Sequence, residues 1–548
     1  ISDVSYEYYA PGEKVKMLNP YGSWYYDLPG KEMDLAMEMK SVREKTLDLN
    51  IDVDIHLGWN PSPLPIKVSA SLAFSYKDHK INTHSTSKMV CYPTILKKVT
   101  SFQDGVTTTT EHLAFDPNTG QPLLTKTQDG FDEERIDGVT HDGSIYALNL
   151  PAAWYYPEMG PKSASPQNAN QLTAPGVSIV SYGASGNPLS DANRSWLTDE
   201  IRNVAQASAQ TYSKGWFAKS NIQENLRQDF PELNTDVENT LNNFWRPEAS
   251  YVYRDNTQSA NAPGGAIYKD GLIDTLSFFD TWDNTNVDEK WLLSNRVAEY
   301  SPNGIPIEER NILDIPSAAR YGYLNMMPTM VAANAEYSNI FFQDYEQIYN
   351  PGLIVGDTNA FAHTGNRSLF LADTLQTIIS GLRNSPRLRS NPLDVSQGGA
   401  LVNLWVRTRT KPDFQLLINN DNSQAIPLDF VARTGEWALL ETYLPSQIFD
   451  NLNLDSEISL QILGSQALID QGIYIDDVKF QPRNSQATCY VYDIATLRLI
   501  AQFDDQHFAL LYQYDAEGKL IRKLIETERG LKTVTETQYN IPSILRDE

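Results

Sequence analysis

The sequence predicts a mainly β protein, and three observations support that class. The chain is rich in strand-forming aromatic side chains, with 29 tyrosines and 10 tryptophans among its 548 residues. Polar and apolar residues alternate along several segments, which is the pattern of a half-buried strand. Turn signals separate these segments at short intervals. We therefore expect an antiparallel β N-terminal region, a mixed middle region with a few helices, a jelly-roll β-sandwich and C-terminal β-hairpins.

Residues 1–158 are expected to form the antiparallel β region. The segment "KEMDLAMEM" at 31–39 places methionine and leucine on one face and acidic residues on the other, a period of two. Asp104-Gly105 lies between two runs rich in threonine and valine, which is a strong hairpin signal. The pentapeptide at 116–120, "DPNTG", predicts a second turn, and Asp129-Gly130 predicts a third.

Residues 159–339 are expected to form the mixed α/β middle region. The segment at 159–176 has the composition of a turn-rich boundary. Beyond it, Leu197, Ile201, Val204 and Ala205 have helical spacing, with Ser190 or Asp191 as the N-cap. The segment "NTDVENTLNNFW" predicts a second helix, and short aromatic strands return from "RPEASYVYRD" onward.

Residues 340–482 are expected to form a β-sandwich, and residues 483–548 a hairpin tail. Six short strand-like segments separated by turns lie within 340–482, at the interval typical of a sandwich. In the tail, "CYVYDIATLRLIAQFDD" and "YDAEGKLIRKLIETERG" share one plan with "FDPNTGQPLLTKTQDG" at 115–130. An aromatic residue and an aspartate precede a turn, and a strand returns. The aspartate can accept backbone N–H bonds in the turn, and glycine adopts the positive φ.

Composition and charge exclude several functions. The net charge of −25 argues against a nucleic-acid partner, because phosphates repel an acidic surface. No apolar run of about 18 residues predicts a transmembrane segment. The two cysteines, Cys91 and Cys489, lie too far apart in sequence for a zinc motif, and we expect two unrelated thiols. The chain begins at Ile1 without methionine, so a processed product or a piece of a larger protein is expected.

The order of these segments resembles that of large Bacteroidetes cell-surface proteins with Rhs-like ends. The hairpins are similar to YD repeats of the Rhs type, which makes the tail a set of YD-type β-hairpins and the N-terminal hairpins degenerate YD-like copies. The resemblance covers nearly the whole chain, and no single motif is diagnostic. It implies an extracellular or cell-surface location. The segments that carry the resemblance are "GKEMDLAMEMKSVREK", "PAAWYYPEMGP", "NFWRPEASYVYRD", "EYSPNGIPIEERNILDIPSAARYGYLN" and "VAANAEYSNIFFQDYE".

The segment 340–482 resembles a carbohydrate-binding module with a lectin-like jelly roll. In such modules an "HSG-x-x-S" turn and a late "DDV" strand flank a structural calcium ion, and the counterparts here are "HTGNRS" at 363–368 and "DDV" at 476–478. The resemblance implies Ca²⁺ as the cofactor, since carboxylates and carbonyls are its usual ligands. The alternative is that the two aspartates end a strand and cap a turn. The implied metal-site residues are Asp344, Glu346, Arg367, Asp476 and Asp477.

Two aromatic residues of the sandwich are candidates for stacking on a sugar ring, Trp405 and Tyr443. The alternative for Trp405 is a place in the core, because its neighbours Leu404 and Val406 are apolar and a strand has two faces. We expect Trp437 to be core.

No catalytic motif is present. The sequence has no HExxH, GxSxG or P-loop, and acidic doublets such as Asp504-Asp505 lie on opposite faces of a regular strand. We therefore expect a non-enzymatic scaffold or adhesion protein that is part of a larger surface protein or assembly. Its partners would be other surface proteins or copies of itself. A glycan-binding protein acting through 340–482 is the first alternative, and a polysaccharide-active enzyme is the second.

Overall fold

The structure, a computed structural model, is built mainly of antiparallel β-sheets with almost no helix, which confirms the predicted fold class. The chain divides into two compact units. Unit 1 comprises residues 1–149 and 180–203, and unit 2 comprises 150–179 and 204–548. The domain boundaries predicted from the sequence stay a prediction. The structure describes residues 2–10, 12–20, 23–28, 32–56, 67–91, 95–128, 134–136, 139–141, 144–182, 204–219, 230, 238, 241–254, 276–347, 361–371, 373–382, 388, 398–408, 413–450, 456–463, 472–527 and 529–539.

The described strands up to residue 182 are short apart from two long ones. They are β1 (Ser2–Tyr8), β2 (Val15–Leu18), β3 (Trp24–Asp27), β4 (Glu32–His56), β5 (Lys67–Cys91), β6 (Leu96–Gln103), β7 (Val106–Phe115), β8 (Pro122–Gln128), β9 (Glu134–Ile136), β10 (Val139–His141), β11 (Ser144–Pro151) and β12 (Pro175–Tyr182).

Unit 1 contains an antiparallel sheet and a long two-stranded ribbon. In the sheet β1 pairs with β6, β6 with β7, β7 with β8 and β8 with β11, all antiparallel. The ribbon pairs β4 with β5 over 25 residues each. From Glu32 onward, the alternating segment at 31–39 is therefore a strand, as its period of two predicts.

Two of the three predicted turns of unit 1 are confirmed, and the third lies outside the described residues. Asp104 and Gly105 form the loop between β6 and β7 with φ values of 52° and 91°. Two positive φ angles match the twist of a two-residue hairpin. In the second turn, the backbone N–H of Thr119 donates to Asp116 Oδ2 over 3.0 Å, and the side chain of the aspartate closes the turn.

Unit 2 contains two groups of strands. The first group is β13 (Val204–Ser213), β14 (Arg246–Tyr253), β15 (Trp291–Tyr300), β16 (Pro306–Asn311), β17 (Pro316–Gly322) and β18 (Met327–Ala333), continued after the sandwich by β29 (Gln486–Tyr492), β30 (Leu499–Phe503), β31 (Ala509–Tyr514), β32 (Leu520–Thr527) and β33 (Gly530–Glu536). The second group is β19 (Phe341–Gln343), β20 (Leu369–Phe370), β21 (Leu375–Leu382), β22 (Ala400–Arg407), β23 (Asp413–Ile418), β24 (Asp421–Pro427), β25 (Asp429–Thr434), β26 (Trp437–Leu444), β27 (Ser456–Leu463) and β28 (Tyr474–Pro482).

The first group forms one continuous antiparallel sheet, which we call the meander. Each strand from β13 to β18 pairs with the next, and β29 to β33 do the same. The two runs join because β18 pairs with β29, with Met330 opposite Cys489. The sandwich strands are therefore inserted between two neighbouring strands of the meander.

Side chains close the turns of the meander in a repeated way. Asp493 Oδ1 accepts the backbone N–H of Thr496 at 2.7 Å. Asp515 Oδ1 accepts the N–H of Lys519 at 2.8 Å. Asp504, the residue directly after β30, accepts the N–H of Phe508 through Oδ1 at 3.0 Å. These bonds are local alternatives to ladder bonds, so each one fixes where a strand ends.

The two tyrosine-aspartate segments form successive hairpins, as predicted. The strand that ends at Tyr492 pairs with β30, and the strand that ends at Tyr514 pairs with β32. Strands β30 and β31 pair with each other, so the hairpins are neighbours in one antiparallel sheet. Gly518 lies in the second turn with a φ of 86°.

The helix predicted around 197–205 is wrong where the structure describes it. Val204 to Ser213 form strand β13. Ala207, Ala209 and Thr211 are buried in alternation, so pairing with β14 outweighs the weak helical spacing at the start of the segment. The rest of that helix lies outside the described residues, as does half of the one predicted at 234–245, in which the described Glu238 and Leu241 are helical. The described helical segments are Trp216–Lys219 and Ser446–Asp450, with 3₁₀ turns at Ala152–Trp154, Pro157–Met159 and Tyr337–Asn339.

The second group of strands packs as two sheets. Sheet one has the order β19-β28-β22-β26-β25, with β20 also paired to β28, and sheet two has the order β21-β27-β23-β24. The first and last strands, β19 and β28, are neighbours. Leu404 packs in the core that contains Leu416 and Leu460 of sheet two. Trp405 packs on the opposite face, with Phe503 of the meander. Sheet one is therefore buried on both faces.

Helices that could cross a membrane are absent from the described part of the chain.

Candidate functional site

A β-bulge in strand β28 turns two neighbouring aspartates toward one turn. Asn403 pairs with Lys479, but Trp405 pairs with Asp476, so β28 has an extra residue at this point. Asp477 has a φ of 48°, which bends the strand. Asp476 Oδ2 accepts the backbone N–H of His363 at 2.8 Å, and Asp477 Oδ1 accepts the hydroxyl of Thr364 at 2.9 Å.

His363 lies between carboxylates of two different layers. Its Nδ1 is 2.8 Å from Asp477 Oδ2 in sheet one, and its Nε2 is 3.0 Å from Glu526 Oε1 in the meander. The ring stacks on Trp405, with 3.9 Å between the ring centroids and an angle of 17° between the planes. All four side chains are buried.

The imidazole of His363 is held as a cation. Burial lowers its pKa, but the hydrogen bonds to Asp477 and Glu526 outweigh burial and raise the pKa to about 9. At neutral pH the protonated ring therefore donates to both carboxylates. These are charge-assisted hydrogen bonds, which are the strong kind.

Asp344 and Glu346, beyond the end of β19, extend this acidic cluster. Asp344 Oδ2 accepts the hydroxyl of Tyr323 at 2.9 Å, and Asp344 Oδ1 accepts the N–H of Glu346 at 3.1 Å. Glu346 Oε1 accepts the N–H groups of Asn366 and Arg367 at 2.6 Å and 2.7 Å. Glu346 therefore anchors the other end of the 363–368 turn, and Asp344 holds the backbone of Glu346.

Gly365 is the residue that lets this turn approach Glu346. Its φ is 70°, a conformation that L side chains rarely adopt. A Cβ atom at this position would clash with the Glu346 carboxylate, because it would lie closer to that group than any non-bonded carbon can approach. Glycine is therefore required by both the backbone and the space.

Burial raises the pKa of every carboxyl group in the predicted metal site. The pKa of Asp344 rises to about 7, mainly because the group is buried and further because Asp477 and Glu346 are near. Burial also raises the pKa of Glu346, Asp476 and Asp477, and neighbouring carboxylates add to the effect. The cluster thus holds more acidic groups than His363 alone can neutralise.

The donor chemistry of this cluster suits calcium, but its oxygen atoms are not gathered around one point. Glu346 Oε2 is buried without a hydrogen-bond partner, as is the hydroxyl of Tyr345. Over the described ranges, however, no three His, Cys, Asp or Glu side chains form a group that could hold a metal ion. The other carboxylate oxygens already accept hydrogen bonds from protein donors. A calcium ion does not fit this arrangement, and the calcium prediction stays a prediction.

The structure brings most of the predicted residues together and separates the rest. Asp344, Glu346, Asp476 and Asp477 lie in one cluster, and Arg367 joins it through its backbone N–H and through Nη1, 3.3 Å from the carbonyl oxygen of Glu346. Of the two aromatic candidates, Trp405 is fully buried and stacks on His363, so its ring is not open to a sugar. Trp437, which was expected to be core, is nearly fully buried. Tyr443 is 38% exposed, with the guanidinium of Arg483 over its ring.

Sequence reasoning missed the meander's contribution to the cluster. Glu526 comes from β32, and His507, whose backbone carbonyl accepts the Trp405 indole N–H at 3.2 Å, comes from the loop before β31. Both lie in the segment that was predicted as a separate tail. The insertion of the sandwich between paired strands is what brings them close, and no local pattern signals it.

A separate cleft of about 430 Å³ opens at one edge of the sandwich. Its floor is apolar and includes Phe414 and Leu440, and its rim includes Asp413, Asp429 and Arg433. Within the described part of the chain, these three rim side chains make no hydrogen bond or ion pair, so they are available to a ligand.

Comparisons with known proteins identify no family for this chain and give a weak structural similarity. No family model and no curated protein matches the sequence. Among solved structures, the crystal structure of TcdB2-TccC3 aligns with 90% of this chain at 10% sequence identity and a TM-score of 0.20. The chain spans 28% of the length of that chain. A similarity this low carries no argument about fold or function.

Proposed function

We propose that this chain is a non-enzymatic β-rich scaffold within a larger cell-surface or extracellular protein or assembly. The observation that carries the proposal is the buried His363, which bonds to the sandwich at Asp477 and to the meander at Glu526. A module that is merely tethered keeps its outer surface in water. This sandwich instead buries the outer face of one sheet against its neighbour.

Three further bonds join the two layers. Lys479 Nζ donates to the carbonyl oxygen of Asp505 at 2.7 Å, and Gln481 Nε2 donates to Asp505 Oδ1 at 3.0 Å. The Trp405 indole donates to the carbonyl oxygen of His507. Separating the layers would leave these buried polar groups without partners, which costs about 1–3 kcal/mol each. The contacts therefore favour a rigid body.

The use of the charged groups supports a role without catalysis. The carboxylates with raised pKa values accept hydrogen bonds from their own fold, including the backbone of the 363–368 turn. A general acid or base must instead reach a substrate. A surface or adhesive role follows from the resemblance to cell-surface proteins, and the rigid layered body suits it.

Stretching the full chain from its two ends in a single-molecule force experiment tests the scaffold role. We expect the sandwich and the meander to unfold in one mechanical event, because the sandwich lies between the paired strands β18 and β29. An early, low-force event that releases only the sandwich residues would contradict the proposal. The variant Glu526→Gln should lower the force of the joint event, whereas Glu517→Gln, on an exposed turn, should leave it unchanged.

The cleft favours a second candidate function, glycan binding by the sandwich. Its rim combines two carboxylates, which can accept sugar hydroxyls, with a guanidinium that can donate to them, above an apolar floor suited to the C–H face of a sugar ring. Calorimetric titration of the full chain with a panel of neutral oligosaccharides tests this candidate. Binding that is lost in Asp429→Ala and kept in Glu436→Ala would support it, and no heat with any member of the panel would reject it.

A further inference from the structure

Lys479, Asn403 and Glu441 form one row across three neighbouring strands of sheet one. Asn403 of β22 is directly opposite Lys479 of β28 on one side and Glu441 of β26 on the other. Directly opposite residues in an antiparallel pair point to the same face, with Cβ atoms about 5 Å apart. An amine, a primary amide and a carboxyl group therefore lie side by side.

The amine and the amide of this row are fully buried. Lys479 and Asn403 are each 0% exposed. Asn403 Nδ2 donates to Glu441 Oε2 at 2.6 Å, while Asn403 Oδ1 has no hydrogen-bond partner among the described residues. A buried lysine is normally paired with a carboxylate. In the described part of the chain, Lys479 instead donates from Nζ to a backbone carbonyl, that of Asp505.

The surroundings favour a neutral, reactive amine. Burial lowers the pKa of Lys479, although the nearby Asp505 and Glu441 oppose that effect. Trp405 and Leu439 are the next residues on the same face of β22 and β26, and both are fully buried. Water is thereby kept from the row, so an amide there is protected from hydrolysis.

We propose that Lys479 and Asn403 become joined by an intramolecular isopeptide bond, with Glu441 as the group that moves the proton. The lysine Nζ attacks Cγ of Asn403, and a new Nζ–Cγ bond forms. The Cγ–Nδ2 bond breaks, and the side-chain nitrogen leaves as ammonia. Glu441, which already contacts that nitrogen, takes a proton from the attacking amine and delivers it to the leaving group. The reaction is a transamidation, so it needs no oxidant or cofactor.

The bond would have a structural consequence for sheet one. It would link β22 to β28 covalently and enclose the chain from 403 to 479, which contains most of the sandwich. A crosslink that closes a long loop stabilises mainly by restricting the unfolded chain. The proposal is independent of the scaffold role, which stands on the contacts between layers.

Mass spectrometry of the full, denatured chain tests the proposal. We expect an intact mass lower than the sequence mass by one ammonia, about 17 Da. After proteolysis, a branched peptide should contain both Asn403 and Lys479. A wild-type chain of full sequence mass, with both peptides recovered separately, would overturn the proposal.

Variants identify the groups involved. Lys479→Met and Glu441→Gln should each restore the full mass, and circular dichroism checks that each variant is folded. Gln481→Leu removes the neighbouring buried amide on β28 and should keep the loss of ammonia. Loss of ammonia that persists in Lys479→Met would also overturn the assignment, because it would then come from another amide.

Discussion

His363 is the residue on which the contact between the sandwich and the meander most depends. Among the residues that the structure describes, it is the cation that contacts carboxylates of both layers. Its ring is fixed by stacking on Trp405. A buried charge is tolerated only with partners, so each member of this group requires the others. The acidic cluster and the 363–368 turn are thus one structural unit.

Replacing His363 by alanine should destabilise unit 2 strongly. The change leaves Asp477 and Glu526 buried without their cation, and removal of one partner from a buried pair costs about 3–5 kcal/mol. Urea unfolding followed by tryptophan fluorescence measures the loss. In a double-mutant cycle, the double variant His363→Ala/Glu526→Gln should lose less stability than the sum of the losses in the two single variants. Strict additivity would show that the two side chains do not interact.

Alanine substitutions at two glycines with positive φ distinguish the cost of backbone strain from the cost of a steric clash. Gly365→Ala adds both effects, because the new Cβ would collide with Glu346. Gly435→Ala adds strain only, since its φ is 60° and nothing lies within 4 Å. We expect about 1 kcal/mol of destabilisation for Gly435→Ala and roughly 1–3 kcal/mol more for Gly365→Ala. Equal losses would mean that the turn does not rest on Glu346.

Calcium binding remains testable at the same residues. If a calcium ion is recruited when the cluster rearranges, it would stabilise the folded chain by about 2.7 kcal/mol at a hundredfold excess over Kd. On the calcium prediction, a chelator should lower the melting temperature of the full chain, and Glu346→Gln should remove that sensitivity. A melting curve unchanged by excess chelator would reject the calcium prediction and leave His363 as the compensating cation.

The turns are the elements that the sequence predicts best. Asp104-Gly105, the 116–120 turn and the Asp493 and Asp515 turns each depend on bonds within a few residues, so the local sequence contains the information. The segment 204–213 shows the opposite case. Its secondary structure is decided by pairing with β14, which lies far away in sequence. The bulge at Asp477 and the role of Glu526 likewise depend on distant partners.

Removing the side chain that closes a turn should have a small, local effect. Asp493→Ala should cost about 1 kcal/mol, the usual value of such a bond, and Glu517→Ala on an exposed turn position should cost almost nothing. The bonds from Thr496 lower the pKa of Asp493. Its contribution is therefore present above the unfolded-state pKa of about 4 and is lost as the pH falls through the lower folded value. Equal acid sensitivity in Asp493→Ala and wild type would contradict this.

In unit 2, three sheets lie in layers: the meander, sheet one and sheet two. Sheet one is central, and both of its faces are apolar, as Leu404 and Trp405 show from adjacent positions on one strand. A mainly apolar run such as "ALVNLWV" cannot reveal which layers cover it, so the sequence predicted a sandwich and a tail as separate parts. The insertion point between β18 and β29 makes them one body.

Hydrogen exchange of the full chain, resolved by mass spectrometry, tests this account most directly. If the sandwich and the meander are one body, the amides of β22 and β28 should open with the same free energy as those of β29 to β31, within about 1 kcal/mol, because the protected core opens only on global unfolding. Exchange of the β22 and β28 amides through a separate opening, at a free energy well below that of the meander, would contradict the account.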